Sequence, residues 1–543
     1  MLINFGDIPG HYNLFLDYLY DFDNVKDFYK HNFRDKEEYP QIFRNVSETK
    51  REFRSDIPKI IEKQYVDSKL KPSVKTSKNI SLLKDKKTLA VVTGQQLGIL
   101  GGPLYTIYKT ITAIKLTSYL KERYDEYQFV PVFWLEGDDH DFDEVRSANI
   151  LSENNELIKI SYDDEIGENE FRNSVGYMTI KDTINTFIET LDKNLRDTEF
   201  KPSLMEKIKS AYAEGKYFKQ AFKEILFWLF DEHGLIIFDP QDVVIKNLLR
   251  PVFKKEIDDF RAHSEKLVNR SATLEETYHA QVKVRPINLF CSNEEGRFLL
   301  EPVDNVFRLK RKKKRFTYEE LIDLLDKHPE SFSSNVLLRT VCQDYLLPTA
   351  FYVGGPSEIS YFAQVFPLYE FYGIEQPMIY PRASATILEK NIDGLLGKHD
   401  LSVTDIFVNV DELKKKIINS ISETKVEDIF GEAGNQIELT FDKLKEKLFK
   451  FDKTIADASI KYKQKTLGTL DELKSKALEA EKKKHEITLR QIDKISNFLY
   501  PNSNLQEREF NFVYFYNKYG NEFLNKIFEE LSINKFEHQV IKL

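Results

Sequence analysis

Cysteine is nearly absent: Cys291 and Cys342 are the only two in 543 residues. They form no CxxC pair and no disulfide framework, which excludes a thiolate zinc site and a disulfide-stapled secreted scaffold. Long apolar runs are missing as well, since no window approaches the ~18 uninterrupted apolar residues of a membrane span. The opening Met-Leu-Ile-Asn-Phe-Gly-Asp has neither the basic nor the apolar region of an export signal. The sequence therefore predicts a cytoplasmic protein with no membrane partner. An excess of positive charge is lacking too: 79 Lys and Arg face 88 Asp and Glu, a net charge of −9. Without an overall basic field, nucleic acid is not expected as a partner. The one basic run, Arg308-Leu-Lys-Arg-Lys-Lys-Lys-Arg315, has the charge to bind phosphate or RNA. It lacks interleaved aromatics for base stacking, and reads as a solvated loop or edge strand.

What is present is core-forming material. Hydrophobic residues make up 41%, aromatics 13% and charged residues 31%, which excludes disorder. At ~150 residues per domain the length corresponds to three or four domain-sized pieces. Residues 1–88 read as mainly helical and polar, a cap or arm. Leu89-Ala-Val-Val is a continuous apolar run of the kind buried on both faces. It leads into Thr93-Gly-Gln-Gln-Leu-Gly98, then Gly101-Gly-Pro103, then a helical stretch over 106–121. A second run, Phe129-Val-Pro-Val-Phe-Trp134, enters Leu-Glu-Gly-Asp138-Asp-His-Asp141, so the pair with its helix makes a βαβ unit. Alternation at 157–162 predicts strands of an inserted segment, 218–231 a helix, and Leu235-Ile-Ile-Phe-Asp239 a third parallel strand. Residues 277–315 alternate like antiparallel strands, at 281–285, 288–290 and 297–300, which predicts a small β insertion. The sheet resumes with a strand over 345–353 that runs into Gly354-Gly-Pro356 and a helix, and with Met378-Ile-Tyr-Pro381. Farther on, Leu444, Leu448, Phe451, Ile455, Ala458 and Tyr462 step by 4, 3, 4, 3, 4, and Leu473, Ala477 and Ala480 repeat the step. That is a coiled-coil seam, filled by a second copy or by a helix of the same chain near 405–430.

Gly-Gly-Pro thus occurs twice where a strand meets a helix. In open α/β sheets ligands bind beyond the carboxyl ends of the strands, which places one crevice between the two turns. Gly94, Gln95, Gln96 and Gly98 would shape a nucleotide or anion cradle, with Lys109 as countercharge, because glycines let backbone N–H groups approach and helix N-termini favour anions. The spacing fits neither GxxxxGK[ST] nor GxGxxG. The alternative is that these glycines only permit close packing. Against it, two adjacent glutamines would both need partners if buried. Asp138, Asp139, His140 and Asp141 admit three readings: a metal cluster, an acid–base set, or an acidic helix N-terminus. As an acid–base set, Asp139 or Asp141 would orient His140 to take a proton from an attacking amine. With no second histidine nearby, no tightly bound metal is predicted, although Mg²⁺ held by carboxylates and nucleotide phosphates fits. Glu358, Tyr361 and Gln364 fall at i, i+3 and i+6 of one helix and would line the crevice, with ordinary core contacts as the alternative. Trp134, Asp138, Tyr352 and Gly355 complete the predicted substrate-binding set.

Five segments in order, Thr93-Gly-Gln-Gln-Leu-Gly through Lys109, Phe133-Trp-Leu-Glu-Gly-Asp-Asp-His-Asp-Phe-Asp-Glu144, Asn335-Val-Leu-Leu-Arg339, Gln343-Asp-Tyr-Leu-Leu-Pro348 and Tyr352-Val-Gly-Gly-Pro-Ser-Glu358, together resemble one family. It is the cysteine-adding ligase family of bacillithiol biosynthesis, BshC. The resemblance extends to the late coiled coil and to Leu505-Gln-Glu-Arg-Glu-Phe-Asn511. It implies an α/β fold with a Rossmann-like nucleotidyltransferase core, similar to class I synthetases of the cysteine type, two inserted connecting segments, and a C-terminal antiparallel or dimeric helical coiled coil. The division expected is a helical arm (1–88), core (89–150), first insertion (151–234), core (235–276), β insertion (277–330), core (331–400), coiled coil (401–500) and a segment folding back on the core (501–543). The resemblance also implies addition of L-cysteine to the amine of glucosaminyl-malate to form bacillithiol, with ATP and Mg²⁺ for activation and a homodimer through the coiled coil. If Gln96-Leu-Gly-Ile99 stands at the HIGH turn of the synthetases, both histidines of that motif are missing, and no KMSKS-like loop follows. On those departures rests the other reading, a non-catalytic nucleotide- or ligand-binding coiled-coil scaffold with a degenerate synthetase-like core.

Overall fold

Five strands with apolar side chains on both faces pair in parallel at the centre of the fold. They are β1 (Thr88–Gln96), β2 (Gln128–Glu136), β3 (Ile236–Phe238), β4 (Thr349–Gly354) and β5 (Met378–Pro381). Their order across the sheet is β5-β4-β1-β2-β3. The register sets Val92 beside Val132 on one side and Tyr352 on the other. Leu89 to Val92 and Phe129 to Leu135 are all buried, as expected for a sheet covered on both faces. The computed structural model describes residues 1–167, 172–421 and 426–543. They fall into two compact units, Met1–Leu388 with Asn504–Leu543, and Glu389–Ser503.

Within the first unit, α1 (Leu104–Arg123) runs from β1 to β2 and buries Ile107, Ile111, Leu116 and Leu120. α2 (Val336–Leu346) precedes β4, and α3 (Pro356–Tyr372) leads from β4 to β5. The chain leaves β1 in one direction along the sheet and β4 in the other, so a topological switch point lies between these two strands. The strand expected over 345–353 starts only at Thr349: α2 continues through Leu346, and Pro348 forces Leu347 into extended backbone before the strand begins.

The N-terminal 88 residues carry four α-helices whose aromatic faces enter the core, with Phe43 against Phe129 and Tyr39 against Phe351. Burying one such ring contributes roughly 1.5–3 kcal/mol, so these helices are a layer of the body. The strand Leu2–Ile3 pairs with His538–Lys542, which in turn pairs with Ser384–Leu388, so the chain's two ends share a small sheet. The β insertion is a five-stranded antiparallel sheet running from Arg315–Phe316 through Val306–Leu309, Gly296–Val303 and Leu289–Asn293 to Phe332–Ser334. The alternating stretch 281–285 is not one of its strands. The Gln364 side chain bonds both the N–H and the carbonyl of Val282, occupying backbone groups that a neighbouring strand would need.

In the second unit, α4 (Val426–Phe449) and α5 (Lys453–Lys484) form an antiparallel hairpin, pinned by Lys463 on Asp442 at 3.0 Å. The seam read from the sequence crosses the turn between them, and its α5 members, Ala477 excepted, face outward. Ala456 and Ser459 are buried and Leu467 and Leu470 partly so, whereas Ile455, Ala458, Tyr462 and Leu473 are exposed.

Candidate active site

A cavity of about 480 Å³ opens at the switch point. Its floor is the carboxyl ends of β1 and β2, which contribute Gly94, Gln95, Gln96, Trp134 and Glu136, and the start of α3, which contributes Gly355 and Glu358. Gly94 is required by the sheet itself: a Cβ there would lie 2.9 Å from the Trp134 carbonyl oxygen. Lys109 reaches back from α1, fully buried, and its ammonium contacts the Gly94 carbonyl at 3.0 Å, Gln95 Oε1 at 2.9 Å and Glu358 Oε2 at 2.5 Å. Burial pulls the Lys109 pKa down and Glu358 opposes it. For Glu358 burial favours the neutral form, but Lys109 and the Gly355 N–H outweigh it and hold the carboxyl below its usual range. Lys109 is therefore committed to organising the strand end and neutralising Glu358.

The opposite wall carries the polar cluster that follows β2. Asp139 accepts from Gln96 Nε2 and from the His140 backbone N–H at 2.6 Å, and its Oδ1 lies 3.6 Å from His140 Nδ1. The half-exposed His140 ring also has Arg297 at 3.3 Å. Burial and the Arg297 guanidinium together keep the imidazole pKa below its ordinary value against the pull of the aspartates, so the ring is neutral at pH 7. Arg297 is fixed by Ser333 Oγ, the Ser334 carbonyl and the face of Phe290.

Eleven of the residues expected at the site, Gly94, Gln95, Gln96, Lys109, Trp134, Asp139, His140, Tyr352, Gly355, Glu358 and Tyr361, line this cavity. Four do not. Gly98 is packed against Gly102, where a Cβ would come within 2.6 Å of that residue's Cα, so it serves the tightness of the turn. Asp138 points away, buried on Lys246 at 2.7 Å and Gln241 at 2.9 Å, a structural ion pair. Asp141 caps the short helix Phe142–Val145 by accepting from the Glu144 N–H, so of the two aspartates only Asp139 stands beside the imidazole. Gln364 is buried on Ser271 and Val282, away from the cavity.

The sequence reading missed the arginines. Arg339 donates to Tyr361 Oη at 2.8 Å and lies 3.6 Å from Glu136 Oε2. Arg382, directly after β5, is held by the buried Glu507 at 2.6 Å. Arg508 stands exposed at the rim and forms no ion pair among the described residues. Glu136 ends β2, accepts from Trp134 Nε1, and is pushed up to about 7 because burial outweighs Arg339. Arg382 and Glu136 sit at the carboxyl ends of strands read correctly, so the strand-end rule extended to every strand would have found them. Arg297 comes from the β insertion and had no local signal. Among the described residues, no group of three His, Cys, Asp or Glu side chains is placed to hold a metal ion.

A doubly wound parallel sheet with a charged cavity at its switch point defines a Rossmann-like ligand-binding protein, here joined to a helical hairpin unit. The sequence patterns of two families match end to end: "Bacillithiol biosynthesis BshC, N-terminal Rossmann-like domain" over residues 1–383, and "Bacillithiol biosynthesis BshC, C-terminal coiled-coil domain" over 385–543. The chain belongs to the BshC family of bacillithiol biosynthesis. Among its relatives, a protein of Salinibacter ruber is 35% identical over 534 residues, covering 97% of this chain and 96% of the relative. One of Chloroherpeton thalassium is 36% identical over 482 residues, covering 86% and 85%. One of Bacillus cereus is 29% identical over 481 residues, covering 88% and 89%. All three carry the name "Putative cysteine ligase BshC".

Proposed function

We propose that this protein is a cysteine ligase that joins the carboxyl group of L-cysteine to the glucosamine amine of glucosaminyl-malate, giving bacillithiol. The observation that carries the reading is His140: a neutral imidazole, half exposed at the cavity wall, with Asp139 beside it and Arg297 keeping it unprotonated. A sugar ammonium must lose a proton before it attacks an acyl carbon, and a neutral imidazole in the cavity wall supplies the acceptor. The Glu136 carboxylate is the partner for the cysteine ammonium, since Glu358 is already held by Lys109, Tyr352 and the Gly355 N–H. Arg339, Arg382 and the uncommitted Arg508 bring positive charge to the cavity that faces the anionic groups of cysteine and nucleotide. ATP with Mg²⁺ supplies the activation that a carboxylate needs, as an acyl-adenylate or an acyl-phosphate. The residues on hand for its phosphates are Gln95 and Gln96 at the end of β1 and Arg508 at the rim.

The exposed outer face of the hairpin, Ile455, Tyr462 and Leu473, supports a homodimer through that unit. His140→Ala is expected to lower turnover by roughly 100-fold or more, the usual contribution of a positioned acid or base, with the affinity for ATP little changed. Wild-type turnover in His140→Ala would remove the general-base assignment.

A further inference from the structure

A second cavity of about 590 Å³ lies beside the first, and the two share His140, Phe290 and Arg297 in their walls. Its own lining comes largely from the β insertion and the segment leading into it, and its charge has one sign. Arg172, Lys283, Arg285, Lys310 and Arg311 join Arg297 there, and no carboxylate lines it among the described residues. Some of these cations are spoken for: Arg172 forks onto Asp164 at 2.8 and 3.1 Å, and Lys310 lies 4.0 Å from Glu301. Lys283, Arg285 and Arg311 form no ion pair among the described residues. Lys310 and Arg311 belong to the basic run that the sequence reads as a solvated loop or edge strand. The loop closes the hairpin between Val306–Leu309 and Arg315–Phe316. Within it Arg311 takes a left-handed backbone at φ +64°, where glycine or asparagine is the usual choice. A like-charged concave wall repels itself unless a counter-anion fills it.

Resting on the proposed ligase reading, we infer that this second cavity seats the dianionic end of the acceptor, the malyl dicarboxylate of glucosaminyl-malate. His140 lines both cavities, so an acceptor anchored by two carboxylates at Arg285 and Arg311 can present its amine at the imidazole. The switch-point cavity is then left to cysteine and nucleotide. Arginine suits this task because its planar fork pairs with carboxylate through two parallel hydrogen bonds.

The test is calorimetric titration of full-length wild type, Arg285→Ala/Arg311→Ala and Arg285→Lys/Arg311→Lys with three probes: glucosaminyl-malate, L-malate and ATP·Mg²⁺. Arg311 is exposed and Arg285 half-buried, and a thermal melt checks that the variants fold. Loss of two charge-assisted contacts is expected to weaken glucosaminyl-malate binding by about tenfold or more, with L-malate weakened in parallel, ATP changed less than about twofold, and partial recovery in the lysine variant. Unchanged glucosaminyl-malate affinity overturns the inference. A loss confined to ATP also overturns it, assigning the cavity to the triphosphate. Binding needs no turnover, so a wild type that binds glucosaminyl-malate through these arginines but forms no product would defeat the ligase reading and leave this site standing. A wild type that forms product without dependence on them would do the reverse.

Discussion

Glu136 is placed where burial and a salt bridge compete. Burial pushes its carboxyl up; Arg339 at 3.6 Å pulls the other way, and the balance falls at about 7. Below that pH Glu136 is protonated and holds neither Arg339 nor a substrate ammonium by charge; above it, both interactions are available. His140 is shifted in the opposite direction, so its protonation limb lies on the acid side of 6.5. Turnover is therefore expected to rise with pH through about 7 because of Glu136, with a separate loss at lower pH from His140. Glu136→Gln should abolish the limb near 7 and keep the lower one. A pH–rate profile of the two enzymes checks this, and an unchanged limb in Glu136→Gln would assign it elsewhere. Lys109 carries a lesson of the same kind. The sequence marks it as a countercharge for a ligand, whereas its ammonium is consumed by Glu358 and the end of β1. A single lysine after a glycine turn says nothing about which carboxylate, the ligand's or the protein's, it will meet.

The hairpin of α4 and α5 turns most of the α5 part of the apolar stripe that the periodicity marks away from α4. Helices over 444–480 were legible from the 4, 3 steps, but a stripe of apolar residues does not say which partner covers it. The inner face of α5 instead runs through Ala456, Ser459, Lys463, Leu467 and Leu470, small or long-stemmed residues that allow close approach of α4. The bulkier stripe of Ile455, Tyr462 and Leu473 remains in water at 46%, 66% and 57% exposure. Ile455→Glu/Tyr462→Glu should convert a dimer into a monomer in sedimentation velocity without loss of helix by circular dichroism. A dimer that persists in the double variant would place the interface elsewhere. The parallel strands were the most legible elements, because continuous apolar runs bounded by glycine leave little choice of face. The segment 281–285 was misread because its alternation is satisfied by a side chain, Gln364, in place of a strand.

For the whole molecule, the strand order places two Gly-Gly-Pro turns at a single switch point, and the sequence repeats were enough to anticipate that crevice. What they could not supply was the contribution of distant segments. Arg297 arrives from the β insertion, Glu507 and Arg508 from the C-terminal return, and the second cavity takes part of its wall from the insertion's hairpin loop. Each is separated from the core strands by more than a hundred residues or by an antiparallel sheet, so no local pattern announces it. As a ligase, the assembled protein must form an amide bond at the cavity that holds its imidazole and its arginines. Mass spectrometry of a reaction containing full-length protein, L-cysteine, glucosaminyl-malate and ATP·Mg²⁺ tests that requirement directly. The predicted result is bacillithiol formed in step with AMP, for an acyl-adenylate route, or with ADP, for an acyl-phosphate. Folded protein that binds the substrates and yields neither the thiol product nor a nucleotide product would contradict it.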